Sequence, residues 1–458
     1  MATYDYGAPL ARARETLARP EWWRGFRTWL GFLAGLAVLM TALLIGPRVE
    51  PQDQKQTCVG NVELPGPFGL SLNCDSPQFM ALARDPSALL APDNARQARP
   101  GLIAVAVLLE RPLALLFRSY GPPAKSVEQG LQNPAQITRS FSQDLPAYFA
   151  YVIINVATLL ASFHLLRLIV LPWAGRDGTA GLVIAASGLI LVANDVVKAF
   201  VWSPHTQMFN VLVPLLALYA TWRAWNGAMA DRSFALAMGV IAGLGFTAYP
   251  VFVVIPACIV PAAMVALWRD RAVARPVAIN ATLLLALCLL PYALWYAYVR
   301  AVTGGFFHME LALGEVSWMA KSWAKGPGVL VADWLDKAWQ FIAFAAPQAI
   351  ALAGLTAWLL LAALFDPAAK ASLKRTLPMA WAALYVSFVV LGFYTCVGWT
   401  VDRLAYPIIP PLLAAAAVGA VAIARRLNAQ RRHVFAAGCA LIALAQVIYV
   451  VLKDGPWS

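Results

Sequence analysis

What constrains this chain most is a series of near-continuous apolar runs of membrane-spanning length, whose basic residues fall on alternate connections. About 20 apolar residues cross the ~30 Å hydrocarbon core of a bilayer as a helix, because a helix satisfies its own backbone polar groups without water. The first run, Thr28 to Ile45, follows a leader with Arg12, Arg14, Arg19, Arg24 and Arg27, which holds residues 1–27 on the cytoplasmic side. The run is too long for a signal-peptide core and has no small-x-small cleavage site, so it reads as an uncleaved anchor. Further spans are expected near 147–171, 179–201, 207–223, 234–249, 251–268, 277–298, 340–365, 378–396, 405–424 and 434–452.

Composition agrees: 61% of residues are hydrophobic and 13% charged, against about 45–50% and about 25% in soluble domains. One integral-membrane domain spanning 1–458 is expected. The net charge of +12 lies mostly in the short cytoplasmic connections, so it argues for orientation and against a nucleic-acid partner.

Charge parity sets the topology. Arg167 and Arg176, Arg223 and Arg232, Arg269 to Arg275, Lys370 to Arg375, and Arg425 to Arg432 share one side only if 47–146 lies wholly outside. The apolar stretch Gly101 to Phe117 then cannot cross. Its centre, Glu110, Arg111 and Pro112, is costly at the bilayer midplane and tolerated at its surface. The expectation is therefore an all-α polytopic protein of the cell (inner) membrane. It has about eleven transmembrane helices, interfacial helices in the first outer loop, the N-terminus inside, and the C-terminus outside. A second large outer loop covers 299–339.

The polar residues concentrate in these outer loops, and the chemistry is expected there. Soluble-type signatures are missing: there is no G-x-x-x-x-G-K-[ST], H-E-x-x-H or paired C-x-x-C. Gly239 and Gly243 form a G-x-x-x-G, which reads as close helix packing. Cys58 and Cys74 share the first outer loop, where an oxidising compartment would let them pair or leave them as two thiols; Cys258, Cys288 and Cys439 lie in spans as small hydrophobes.

Among the outer charges, Asp75 precedes a short amphipathic pattern, with Ser76 as a cap and Pro77 in the first turn. It reads either as a helix-terminus charge or as a catalytic acid. Arg96 and Arg99 follow before Pro100, and Glu110 lies further along. Asp195 and Lys198, one turn apart near the outer end of a span, read as a local ion pair or an intramembrane functional pair. His205 and Gln207 lie just outside that span. His308, Glu310 and Glu315 lie in the second outer loop without metal-ligand spacing, and His164 and His433 near the inner face read as structural. Asp402, Arg403 and Tyr406, with Pro407, Pro410 and Pro411, mark the mouth of a late span, where an Arg suits either an interfacial anchor or a lipid phosphate. Trp318, Trp323, Trp334 and Trp339 read as interfacial anchors or sugar-stacking faces.

An N-in first span, a long outer loop with an early acid before an amphipathic helix, then R-Q-A-R-P (96–100), a second large outer loop and R-L-A-Y-P-I-I-P (403–410) together resemble the GT-C superfamily of polyprenyl-phosphate-sugar-dependent glycosyltransferases. The resemblance implies that Asp75 is the catalytic base and that Arg403, Arg99 and Tyr406 contact the donor's phosphate and lipid. The acceptor would be a glycan, lipid or protein, and transfer would invert the anomeric centre. No cofactor or metal is implied; the donor is itself a substrate, and the alternative Asp53 lies nearer the first span. Members often carry a second acid outside the third span, where this chain reads S-P-H-T-Q. Competing classes are a transporter or lipid flippase, and a surface-glycan polymerase or ligase.

Overall fold

A computed structural model describes residues 22–46, 59–64, 66–117, 144–174, 178–269, 271–309 and 314–453. Apart from one two-stranded ribbon, the described elements are helices: α1 (Trp22–Ile45), then β1 (Val59–Glu63) and β2 (Gly69–Asn73), α2 (Ser76–Arg84) and α3 (Pro100–Phe117). They continue with α4 (Leu145–Val170), α5 (Gly178–Val192), α6 (Asp195–Phe200), α7 (Phe209–Trp225), α8 (Arg232–Ala248), α9 (Val254–Arg269) and α10 (Ala274–Thr303). The last are α11 (Ser317–Lys325), α12 (Pro327–Ala345), α13 (Ile350–Phe365), α14 (Pro367–Val397), α15 (Asp402–Ala405), α16 (Ile409–Ala424) and α17 (Ala429–Leu452).

Among the described residues, eight helices are long and apolar enough to cross a membrane. The chain is thus an all-α polytopic membrane protein. Seven of the eight coincide with expected spans; the eighth is Pro100–Phe117, so its length and composition do not distinguish crossing from lying on a surface. Three expected spans are shorter apolar helices, Thr179–Val192, Arg232–Ala248 and Pro250–Val265.

The expected span 179–201 is broken. α5 ends at Val192, and Asn194 restarts the chain as α6, its side chain accepting the Val197 amide at 2.9 Å. Asn suits this role because its short carbonyl satisfies an amide left over at a helix start. Three other bonds fix the break: Gln446 donates to the Ala193 carbonyl at 2.8 Å, and Tyr406 and Asn194 donate to the Leu191 carbonyl, each at 2.7 Å.

Packing follows small residues. A Cβ on Gly243 would fall 2.2 Å from the Leu287 carbonyl oxygen, and one on Gly239 2.9 Å from Leu287 Cβ. The G-x-x-x-G therefore lets α8 and α10 approach backbone to backbone. One large core runs through the bundle from Phe32 to Ala443, and a second lies at one end, built from Leu72, Phe79, Met80, Leu102, Ile103, Tyr148 and Tyr151.

That end also holds the ribbon, α2, α3, the segment 201–208 and the N-terminus of α4. The opposite end carries the basic turns, where Asp231, Asp366 and Asn428 cap α8, α14 and α17. The two ends are chemically distinct. α3 packs against α4, α8 and α2. Gly101 abuts Thr247 at the last turn of α8. The charge of Glu110 meets that of Arg84, which pairs with Asp144 at the start of α4 at 2.8 Å. Phe117 stacks on Phe149 with ring centroids 5.6 Å apart.

Candidate functional site

The site begins where the ribbon ends. β1 and β2 pair antiparallel with Val59 opposite Asn73, and the next residue, Cys74, is disulfide-bonded. Cys258, Cys288, Cys396 and Cys439 are free thiols; Cys58 lies outside the described residues. Asn73 folds back so that its Oδ1 accepts the Asp75 amide at 3.0 Å, while its own amide donates to Ser203 Oγ at 3.0 Å. Ser76 Oγ lies 2.8 Å from Ser203 Oγ and donates to the Pro204 carbonyl. Ser76 is therefore not the helix cap. Asp75 occupies the cap position of α2, yet its side chain makes no capping bond, which leaves both carboxylate oxygens for other partners.

Those partners are cations and a histidine. Arg96 Nη2 lies 2.5 Å from Asp75 Oδ1, and His205 Nε2 lies 3.2 Å from Oδ2. Arg96 also donates to Gln78 Oε1 at 3.1 Å and stacks over the Phe79 ring at 4.9 Å. Three residues on, Arg99 donates to Thr206 Oγ1 at 3.2 Å and sits over the Tyr249 ring at 5.6 Å. The expected Asp75, Arg96, Arg99 and His205 thus meet in one place.

Between the two arginines, Gln97 is buried and saturated, a residue the sequence pattern did not single out. Its amide donates to the carbonyls of Leu89 and Ala91 at 3.0 and 3.2 Å, and its Oε1 accepts the Phe307 amide at 2.6 Å. Its carbonyl takes the Trp295 indole at 2.7 Å. Gln97 thereby fastens the first loop to the second and fixes the spacing of Arg96 and Arg99.

Arg403 arrives from the far end of the sequence. Its guanidinium stacks over Trp399 at 4.7 Å, and its carbonyl accepts from Asn210 at 3.4 Å. Asn210 Oδ1 in turn takes the Tyr394 hydroxyl at 2.6 Å. The charge of Asp75 acts on Arg403, as do Asp402 and Arg99, and that of Arg403 acts on His205. One carboxylate thus pairs with Arg96, while the charges of Arg99 and, from a distant segment, Arg403 interact with it.

Burial on its own would raise the Asp75 carboxyl, but the His205 hydrogen bond and the charges of Arg96 and Arg99 outweigh it and hold the group well below the usual carboxylate range. Burial pushes the His205 imidazole down to about 4, against the pull of Asp75. His205 is thus neutral near pH 7, and its contact is a hydrogen bond rather than an ion pair. For Asp75 to accept, Nε2 must carry the proton, which leaves the lone pair on Nδ1. That nitrogen is buried without a hydrogen-bond partner among the described residues. The ring sits between Phe200 and Phe79, centroids 4.6 and 5.7 Å away.

The remaining candidates lie elsewhere. Asp195 pairs with Lys453 at 2.7 Å, so the expected i, i+3 ion pair gives way to one reaching α17's end. Lys198 donates to the carbonyls of Val450, at 2.9 Å, and Lys453. Tyr406 is 1% exposed with its hydroxyl committed to the Leu191 carbonyl, a packing position. Gln207 accepts from Asn210 inside the bundle. Glu110 faces Arg84 on α3, away from Asp75. His308 is half-buried beside Met309, whose sulfur lies 3.9 Å from Arg96 Nη1. Asp53 and Glu310 lie outside the described residues. Among the described residues no three His, Cys, Asp or Glu side chains gather to hold a metal ion.

No protein-family model matches the chain, and neither does any curated protein or solved structure.

Proposed function

We propose that this protein is a membrane glycosyltransferase that moves a sugar from a polyprenyl-phosphate donor to an acceptor on the extracytoplasmic side, with inversion. The observation that carries the reading is the gathering of Arg96, Arg99 and Arg403 around Asp75 at the polar end of a polytopic bundle. A lipid-phosphate donor keeps its chain in the bilayer and brings its own leaving group. The protein then has to supply cations for the departing phosphate and a carboxylate for the acceptor's proton.

In the reaction proposed, the acceptor hydroxyl attacks the anomeric carbon and its proton passes to Asp75. The bond to the phosphate oxygen breaks, and polyprenyl phosphate leaves with the electron pair. A carboxylate held this low is ionised throughout the working range but is a weak base. Donor phosphate competing for Arg96, Arg99 and Arg403 would relieve that restraint, so Asp75 gains basicity once the donor is bound. Arg suits this exchange because its planar fork binds carboxylate and phosphate alike.

Charge parity and the Glu110, Arg111 and Pro112 centre of α3 support a surface position for 101–117, hence an extracytoplasmic 47–146 and a cytoplasmic N-terminus. Cysteine placed at Lys125 should react with an impermeant reagent in intact cells; labelling only after permeabilisation would invert the topology. The broken α5 and α6 are the feature a transporter would use, since discontinuous helices expose backbone groups to substrate. Here Gln446, Tyr406 and Asn194 already occupy that break, which favours catalysis. Transfer of labelled sugar from a polyprenyl phosphate by proteoliposomes containing the purified protein tests the proposal. Flux of the lipid without transfer would replace it with a flippase.

A further inference from the structure

The segment that delivers Arg403 is held from outside by a single helical hairpin. α14 ends at Gly398, whose φ of +81° is a left-handed conformation that a side chain resists. A Cβ there would also collide with Trp318, 2.3 Å away. Trp318, on α11, donates its indole to the Cys396 carbonyl at 3.1 Å. From α12, Lys337 donates to the Gly398 carbonyl at 3.1 Å while lying over the Trp318 ring at 5.2 Å. Gln340 Oε1 accepts the Thr400 hydroxyl at 2.8 Å, and Gln348, just past the helix, donates to the Asp402 carbonyl at 2.9 Å.

Lys337 and Gln340 lie at helical spacing on one face of α12, whose opposite face exposes Val331, Leu335 and Trp339, and Gln348 follows in the turn after it. On the same face Asp333 accepts the Ser322 hydroxyl and so ties α12 to α11, while Lys337 and Gln340 reach the neighbouring loop. We propose that α12 is the positioning element for Arg403: Lys337, Gln340 and Gln348 set the course of residues 398–402 and so place the guanidinium where Asp75 and Arg99 act on it. The three are positioning residues and touch no reacting atom. The proposal rests on the glycosyltransferase reading only for its consequence, which is donor-phosphate binding.

The test uses the full chain in lipid nanodiscs, treated with phenylglyoxal, and reads modification of Arg403 by peptide mass spectrometry with the exposed Arg111 as reference. Lys337→Met, Gln340→Leu and Thr400→Val should each speed modification of Arg403 about fivefold, the equivalent of one lost hydrogen bond. Gln340→Glu, which keeps an oxygen for Thr400, should restore the parent rate. Thr400→Val removes the same bond from the loop side, so a folding failure of one helix variant leaves the question answerable. Unchanged Arg403 reactivity in all three, with folding intact by size-exclusion, overturns the proposal. Farnesyl phosphate serves as the phosphate probe. If it protects Arg403 in the parent and about fivefold less well in the variants, both readings stand. If it protects nothing while reactivity still rises, positioning stands and the phosphate role of Arg403 falls.

Discussion

Asp75 and Asp195 lie at the same end of the bundle, and each meets a cation, yet the structure treats them differently. Asp195 is 11% exposed and matched by one partner, Lys453, itself 13% exposed. Asp75 is 30% exposed and sits among Arg96, Arg99 and His205, with Arg403 within reach of its charge. A carboxylate matched by one cation is closed, whereas a partly open one with several cations around it invites a further anion. The first fastens the end of α17 to α6; the second is the place proposed for a substrate phosphate. Chemical identity is the same in both cases, and the arrangement of neighbours separates structure from chemistry.

Removing each carboxylate while keeping its shape is the widest test of that contrast. Asp75→Asn should lower transfer by about 10²–10⁴, the usual loss for a positioned base, and should also lower the melting temperature, since Arg96, 3% exposed, loses its counter-charge. Measuring initial rates with saturating donor decides it. If Asp75→Asn transfers normally and Asp53→Asn is inactive, the base is the other acid; if both transfer normally, the mechanism is wrong.

Asp195→Asn should cost stability without costing transfer. It leaves Lys453, 13% exposed, without its counter-charge, a loss of at most about 3–5 kcal/mol, the figure for one member of a fully buried pair. Thermal unfolding in detergent should show the drop, and transfer per folded molecule should be unchanged. A stable Asp195→Asn protein without transfer activity would move the functional centre toward α6, where the sequence already placed a candidate.

The apolar helices, seven of which coincide with expected spans, and the meeting of Asp75 with Arg96 were legible in the sequence because they depend on local signals: hydropathy, a Pro in a first turn, and R-x-x-R-P. Even the break before α6 has such a signal, the Asn194 cap directly ahead of Asp195, although continuous hydropathy masks it. Specific pairings were not legible. Asp195 looks like a partner for Lys198 in the sequence, but its ion pair comes from Lys453, 258 positions later. Gln97 looks like a spacer between two arginines and is the bracket that joins two loops. Such contacts depend on which helix ends meet, and no residue pattern within one segment encodes that.

Arg403→Ala separates binding from chemistry within the open cluster. Loss of a charge-assisted contact worth about 1.5–3 kcal/mol should weaken donor binding about ten- to a hundredfold. Arg403→Lys should recover only part of it, since a point charge cannot reproduce a planar fork. Titrating a fluorescent polyprenyl phosphate into the purified variants measures this directly. Equal affinity in Arg403→Ala and the parent would assign the phosphate to Arg96 and Arg99.

The smallest effect sharpens the contrast through protons. His205 titrates at about 4 in the folded protein because burial disfavours its cation, whereas an exposed imidazole titrates near 6.5 in the unfolded chain. Between those values the unfolded chain binds more protons, so stability rises with pH across the window and is lost as pH falls from 6.5 toward 4, by at most about 1.4 kcal/mol per pH unit. Asp75, depressed in the folded state, adds stability above its unfolded value near 3.9 and loses it only as pH falls further. The two windows therefore do not coincide. His205→Gln, which still offers an amide donor to Asp75 Oδ2, should flatten the melting temperature between pH 6.5 and 4.5 relative to the parent. An unaltered slope in that variant would mean that His205 is not held neutral, and its contact with Asp75 would then be an ion pair like that of Lys453 with Asp195.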